Sequence, residues 1–387
     1  MARNCHKSVF NALTLAGVEP VYAQPEYLEE YGISGAVAVS EIERCMDAHP
    51  DADAVILPSP NYYGICSDIE AIAAAVHARD KVLIVDQAHG AHLKFFHKFG
   101  FGDGMPRSAE ESGADLVIGS IHKTLGSLTQ SAILNHNTDR VSKYVLEDKL
   151  QMIESTSPSY ILMSFLDINA EILEKNGEDA IGEWRRNLDA FYEDLREIPG
   201  LKIMSVEADG AGGSDTASHG GNMDRTKVNL DMSAYGLDGA ALEQELLKYN
   251  IFAELYAGNV LMLMTGIGNT KKHFDRTVAA LKDIAWQHAA DYSEERAAVD
   301  AEYGAPKLKA PAAGKLHPIP IHKEMIPLDA AVGRICASSI IPYPPGIPLV
   351  CPGEEITDEV IAYVKALRQD GEKVMGITDQ GDVVVGV

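Results

Sequence analysis

Long apolar runs are missing from this sequence. No stretch of about 18 apolar residues occurs, so a membrane-spanning helix is not expected. The N-terminal MARNCHKSVF lacks the apolar core of a signal peptide. Cysteine is scarce and scattered: Cys5, Cys45, Cys66, Cys336 and Cys351, an odd number with no C-x-x-C pair. That excludes a zinc ribbon and a disulfide framework, and it fits a cytoplasmic, reducing environment. Positive charge is also short. Lys and Arg total 33 against 57 Asp and Glu, a net charge of −24. Such a chain repels phosphate backbones and anionic lipids, so neither nucleic acid nor a membrane surface is an expected partner. The acidity reads first as solubility and second as attraction for a cationic substrate. Internal repeats are absent as well.

What is present describes a folded α/β chain. With 387 residues, it is long enough for two or three domains at roughly 150 residues each. AVIL (54–57), VLIVD (82–86), DLVIGS (115–120) and SAILN (131–135) read as strands, the first three buried. A helix capped by Asp68 follows the first. Continuous Val/Ile/Leu strands separated by helices predict a mixed, mostly parallel sheet covered on both faces. Residues 140–195 read as helical, broken at STSPSY (155–160). TKVNLDM (226–232) and NVLMLMTGI (259–267) then read as strands, and 236–251 and 273–292 as helices, giving a smaller α+β unit. Glycine-rich 210–221 reads as a mobile loop, not a phosphate cradle. The division expected is a large domain over 1–165, a smaller α+β domain over 166–304, a Pro/Ala/Lys linker over 305–315 and a C-terminal α+β domain over 316–387.

Three polar segments follow the first three strands: SPNYYG, DQAHGAH and SIHKT. Ligands of open α/β sheets bind outside the carboxyl ends of the strands, so these segments share one candidate site. Lys123 is on prior grounds a surface lysine, but Ser120, His122 and Thr124 surround it with hydroxyls and an imidazole. A lysine near a phosphate-binding hydroxyl is what a pyridoxal-phosphate Schiff base needs. Asp86 at the end of KVLIVD reads as a helix cap, a magnesium ligand or the partner of a protonated pyridine nitrogen. Asp86, His89 and His92 together resemble a metal cluster, but no fourth ligand is evident nearby, so no metal is expected.

R-N-C-H-K-S (3–8), S-P-N-Y-Y-G (59–64), D-Q-A-H-G-A-H (86–92), S-I-H-K-T-L (120–125), S-T-S-P-S-Y (155–160) and Y-P-P-G-I-P-L (343–349) with P-G-E (352–354) occur in this order. Together they resemble the Orn/Lys/Arg decarboxylases, which are fold type I PLP enzymes of the aspartate aminotransferase-like fold. The match covers nearly the whole chain. Each motif alone is weak, but six in order are specific.

The resemblance implies pyridoxal 5'-phosphate as cofactor and decarboxylation of arginine, lysine or ornithine as activity. It implies that Lys123 carries the cofactor as a Schiff base and that Asp86 pairs with the pyridinium nitrogen. His6 would stack on one ring face and Ala88 would pack on the other, within the segment that contains His89. Ser120 would bind the phosphate, and His122 would lie beside the Lys123 linkage. Ser155, Thr156 and Ser157 would reach the phosphate of a neighbouring subunit, which makes a homodimer or higher oligomer with shared sites the expected assembly. Glu254 in F-A-E-L-Y matches a family glutamate near the distal cationic end of the substrate, or else is a solvated glutamate at a strand start. Gln87 stands where a glutamate is common.

Family members place a Gly-Thr or Gly-Ser phosphate loop ahead of R-N-x-H-K-S, and none precedes His6 here. The resemblance therefore implies a misplaced start, a truncation, or a split gene with a separate N-terminal chain. Two other readings stay open: another fold type I PLP enzyme, an aminotransferase or lyase, and a non-catalytic chain that acts through its interface. Y-P-P-G-I-P argues for the decarboxylase.

Overall fold

A computed structural model describes residues 1–204, 223–293, 311, 314–343, 346–369 and 371–387. The glycine-rich 210–221 segment, most of the 305–315 linker, and Pro344 and Pro345 of Y-P-P-G-I-P lie outside the described residues. By contacts the chain falls into two units: Met1, Arg3–Tyr22 and Gly304–Val387 in one, Ala2 and Ala23–Tyr303 in the other. Among the described residues, no helix is long and apolar enough to cross a membrane.

The first helix, α1 (Lys7–Ala16), starts at His6, whose Nδ1 accepts the Ser8 N–H at 3.3 Å. It ends at Gly17, where φ of 66° suits a residue without Cβ. In the larger unit, the short strands β1 (Tyr27–Leu28) and β2 (Ile33–Ser34) pair antiparallel. Strands and helices then alternate: α2 (Val39–Ala48), β3 (Ala54–Pro58), α3 (Ile69–His77), β4 (Val82–Asp86), α4 (Leu93–Lys98), β5 (Leu116–Gly119), α5 (Ile121–Thr124) and β6 (Ile133–His136). The strand order is β3-β4-β5-β6, with the first three parallel and β6 antiparallel to β5. Asp68 caps α3 as expected, accepting the Ala71 N–H at 3.0 Å. The register brings Pro58, Asp86 and Ile118 side by side at one edge of the sheet.

Two helices follow, α6 (Lys143–Ile153) and the 37-residue α7 (Tyr160–Arg196), separated by residues 154–159. Helix α7 crosses the 165/166 boundary expected from the sequence without a break. Its C-terminal half buries Ile181, Trp184, Leu188, Phe191 and Leu195. A second sheet contains β7 (Lys202–Ile203), β8 (Lys227–Asp231), β9 (Leu255–Ala257) and β10 (Val260–Met264), in the order β7-β8-β10-β9, all antiparallel. Helices α8 (Gly239–Leu247) and α9 (Lys271–Gln287) share its core with α7, through Leu242, Leu281 and Ile284 against Val228, Leu230 and Leu261. Helix α8 is shorter than the expected 236–251. Asp238 caps it by accepting the Ala241 N–H at 2.8 Å, and at Asn250 the backbone turns to φ 55°.

In the other unit, β11 (Lys323–Pro327) pairs with β14 (Asp382–Gly386) and β12 (Ile341–Tyr343) with β13 (Lys373–Met375). Helix α10 (Asp358–Gln369) covers them with Val360, Ile361 and Val364. The N-terminal stretch Arg3–Tyr22 belongs to this unit, whereas Ala2 belongs to the larger one, where its N–H donates to the Ile56 carbonyl at 2.8 Å. The Arg3 guanidinium donates to the Pro348 carbonyl at 2.6 Å, the Leu349 carbonyl at 2.8 Å and Glu354 Oε2 at 3.1 Å. It also lies over the rings of Phe10 and Tyr22. The fully buried Glu354 accepts the Cys351 N–H at 2.8 Å. R-N-C-H-K-S and P-G-E thus meet through one buried ion pair.

Removing one partner of a buried pair strands the other charge in low dielectric. Glu354→Ala should therefore destabilise this unit by about 3–5 kcal/mol. Urea unfolding of the full chain, followed at that unit by hydrogen exchange, measures it; unchanged protection of α1 and α10 contradicts the assignment.

Candidate active site

Strand β4 delivers Asp86 to the sheet edge, and hydrogen bonds from both neighbours lock it there. The Ser59 N–H donates to the Asp86 carbonyl at 3.0 Å, and the Gln87 N–H to the Ile118 carbonyl at 2.9 Å. The Ala88 N–H donates to Asp86 Oδ1 at 3.1 Å. Gln87 points the other way and is buried: its Oε1 accepts the Ala109 N–H at 2.6 Å and its Nε2 donates to Glu110 at 2.9 Å. Gln87 is thus a structural strut behind the site.

The single turn of α5 carries Lys123. Its base is anchored by the Thr124 carbonyl, which accepts the Ile267 N–H at 2.9 Å. Lys123 Nζ lies 2.9 Å from His89 Nε2, and the His89 ring packs 4.9 Å from that of Tyr62. Burial pushes the Lys123 ammonium below its ordinary pKa; the fields of Asp86 and Glu254 oppose this, and the Lys227 cation adds to it. A lowered value leaves more neutral, nucleophilic amine at a given pH. Asp86, Ala88, His89, Lys123 and Glu254 therefore share one region. Glu254 is held there by its N–H, which donates to the Met262 carbonyl at 3.0 Å.

The remaining expected site residues are placed as follows. His122 Nδ1 lies 2.8 Å from the Ser131 carbonyl, so that nitrogen is assigned the proton. Ser120 precedes α5, and its hydroxyl makes no cap bond to that helix. Ser155, Thr156 and Ser157 are exposed between α6 and α7, with Ser155 Oγ accepting the Ser157 N–H at 3.1 Å. His6 belongs to the other unit, where it caps α1 with its Nδ1 2.8 Å from Ser8 Oγ.

His92 does not join Asp86 and His89. It turns into a cluster that sequence reading missed, built on the turn D-R-T-K (224–227) at the start of β8. Asp224, His92 and Lys227 have side chains with no solvent exposure. Asp224 Oδ1 accepts from Thr226 Oγ1 at 2.7 Å, the Thr226 N–H at 3.0 Å and His92 Nε2 at 3.1 Å. Its Oδ2 accepts from Lys227 Nζ at 2.8 Å. His92 Nδ1 lies 3.2 Å from Thr124 Oγ1.

Burial pushes the His92 pKa down and the Lys227 cation adds to this, against the attraction of Asp224. We therefore assign a neutral ring that donates from Nε2 and accepts at Nδ1. Burial acts to raise the Asp224 pKa, but the partners His92 and Lys227 outweigh it and hold the carboxyl well below the usual carboxylate range. Lys227 Nζ also donates to the His89 carbonyl. The sequence signal was a lysine opening the buried strand KVNLD, three residues after an aspartate.

The family model described as Orn/Lys/Arg decarboxylase, major domain, matches residues 1–196, and the one for the C-terminal domain matches 304–381. An arginine decarboxylase of Bacillus subtilis (strain 168) is 34% identical over 379 residues, which cover 97% of this chain and 74% of the relative. An arginine decarboxylase of Halalkalibacterium halodurans is 33% identical over 378 residues, again 97% of this chain and 74% of the relative. Among solved structures, the constitutive lysine decarboxylase of E. coli superposes with a TM-score of 0.76 at 20% identity, covering 100% of this chain and 66% of that one. That likeness bears out the α/β fold expected from the strands and helices. With its major-domain and C-terminal segments both matched and two relatives a third identical, the chain belongs to the Orn/Lys/Arg decarboxylase family.

Proposed function

We propose that the chain removes the α-carboxylate of a basic amino acid as carbon dioxide, leaving the amine, with pyridoxal phosphate as cofactor. The observation that carries this reading is the half-buried Lys123 amine, lowered in pKa, held by His89 and flanked by Asp86 and Glu254. The donor set fits the cofactor: an amine lowered in pKa, a carboxylate locked at a strand end, a small Ala88 beside it and a Ser120 hydroxyl not spent on capping its helix.

When bound, pyridoxal phosphate supplies an electron sink for the pair left at Cα. Lys123 Nζ would attach the cofactor, with His89 Nε2 holding that amine in line. Asp86 would keep the ring nitrogen protonated. Ser120 would take the phosphate, Ala88 would cover one ring face, and His122 would stand beside the amine. Glu254 would attract the distal cation of the substrate. Its negative field suits the guanidinium or ammonium of arginine, lysine or ornithine alike. Arginine is favoured, because two relatives about a third identical are named arginine decarboxylases.

An exposed apolar surface supports assembly with a second copy. Tyr144, Val145, Met152 and Ile153 of α6 and Tyr160, Ile161 and Met163 of α7 all face solvent in the single chain. A face of that kind marks an interface. A second copy seated there would meet Ser155 and Thr156, which lie between these two helices, and would bring them towards the partner's phosphate.

Reductive trapping with borohydride after addition of pyridoxal phosphate, followed by peptide mass mapping, should place the adduct on Lys123. Lys123→Ala should lose both the adduct and release of carbon dioxide from arginine, with unchanged circular dichroism. An adduct on another lysine, or turnover retained in Lys123→Ala, contradicts the reading. Sedimentation should give a dimer for the native chain and a folded monomer for Ile153→Asp/Ile161→Asp; a native monomer at micromolar concentration contradicts the shared site.

A further inference from the structure

Lys227 is a cation with no solvent exposure, and such a group is tolerated only where every donor finds an acceptor. Its ammonium has three N–H donors. Two are met within its own turn, by Asp224 Oδ2 at 2.8 Å and Thr226 Oγ1 at 3.2 Å. The third goes to the backbone carbonyl of His89, 138 residues earlier in the chain. An ion pair that served β8 alone has no need of that bond. His89 is the residue whose Nε2 lies 2.9 Å from Lys123 Nζ.

We propose that Lys227 is a positioning residue for the reacting lysine: its ammonium, fixed by Asp224 and Thr226, clamps the His89 carbonyl, so that His89 Nε2 is aimed at Lys123 and the Lys227 charge stands behind that pair. This rests on the reading that Lys123 is the reacting amine. The geometry makes the placement rigid from both sides. His92 bonds Asp224 at one end and Thr124, the residue after Lys123, at the other. The lysine is thus framed by a ring of bonds: Lys123 to His89, His89 to Lys227, Lys227 to Asp224, Asp224 to His92 and His92 to Thr124.

The charged groups acting on Lys123 are Asp86 at the end of β4, Glu254 before β9 and Lys227 at the start of β8, together with the His89 ring it touches. The two carboxylates favour the protonated amine. Lys227, like burial, favours the neutral one. Taking the Lys227 charge away must therefore let Lys123 keep its proton to higher pH. A purely structural role for Lys227 predicts a different pattern: reactivity lost at every pH, with the midpoint unmoved.

The test is competitive labelling of the full chain with acetic anhydride, without cofactor, reading acetylation of the Lys123 peptide by mass spectrometry across pH. In Lys227→Met the midpoint should rise by about 0.5–1 pH unit. Lys227→Met leaves the Asp224 carboxylate buried and unpaired, so Asp224→Asn/Lys227→Gln is measured beside it. That pair keeps the hydrogen bonds, strands no charge and should show a rise of the same sign, because the lysine end of the pair is the end that touches His89. A midpoint unmoved in the folded double variant overturns the proposal. The labelling reads the amine directly. A failure of the decarboxylase reading would instead appear as no pyridoxal adduct on Lys123 in the native chain.

Discussion

A buried ion pair, Asp224 with Lys227, is what the three loops of the site hang on. Each loop comes from a different strand end, and each is fastened to the same turn. The Asp224 N–H donates to the Gly64 carbonyl at 2.7 Å and so holds S-P-N-Y-Y-G. The Lys227 ammonium holds the His89 carbonyl of D-Q-A-H-G-A-H, and His92 links Asp224 to Thr124 of S-I-H-K-T. In low dielectric such a network is costly when incomplete and rigid when every donor is met. The close approach also explains one glycine. Gly64 has φ of 90°, and a Cβ there would stand 2.8 Å from the Asp224 carbonyl oxygen and 2.9 Å from Lys227 Cβ. No larger residue fits without moving the turn.

This arrangement separates two duties that sequence motifs run together. Within D-Q-A-H-G-A-H, His89 touches Lys123 and Asp86 acts on it through its charge. Gln87 braces the chain through Ala109 and Glu110, and His92 is a neutral linker in the core. A motif of seven residues thus holds two that lie towards Lys123 and two that brace the chain around them. The same holds for P-G-E, whose glutamate is buried against Arg3 and makes the first motif of the chain and the last into one folded unit.

Much of the site was legible in the sequence because its signals are local. AVIL, VLIVD and DLVIG are continuous apolar runs that only a covered parallel sheet accommodates, and the polar residues after each must lie at one sheet edge. That places Asp86 and Lys123 near each other before any coordinates. The order of six motifs then gave the family. What stayed hidden depends on distance along the chain. Asp224 and Lys227 look like an ordinary turn until their partners at 64, 89 and 92 are known. Nothing in R-N-C-H-K-S alone points from Arg3 to Glu354, 351 residues later. Helix ends were misjudged where a capping side chain such as Asp238, not apolar spacing, sets the boundary.

Hydrogen exchange of Asp224→Asn against the native chain tests this dependence most directly. Losing one charge of this buried pair leaves the Lys227 cation uncompensated and should cost about 3–5 kcal/mol. Amides in 59–64, 86–92 and 120–125 should then exchange faster together, by about tenfold or more. Faster exchange confined to 223–228, with the three loops as protected as before, would contradict the account.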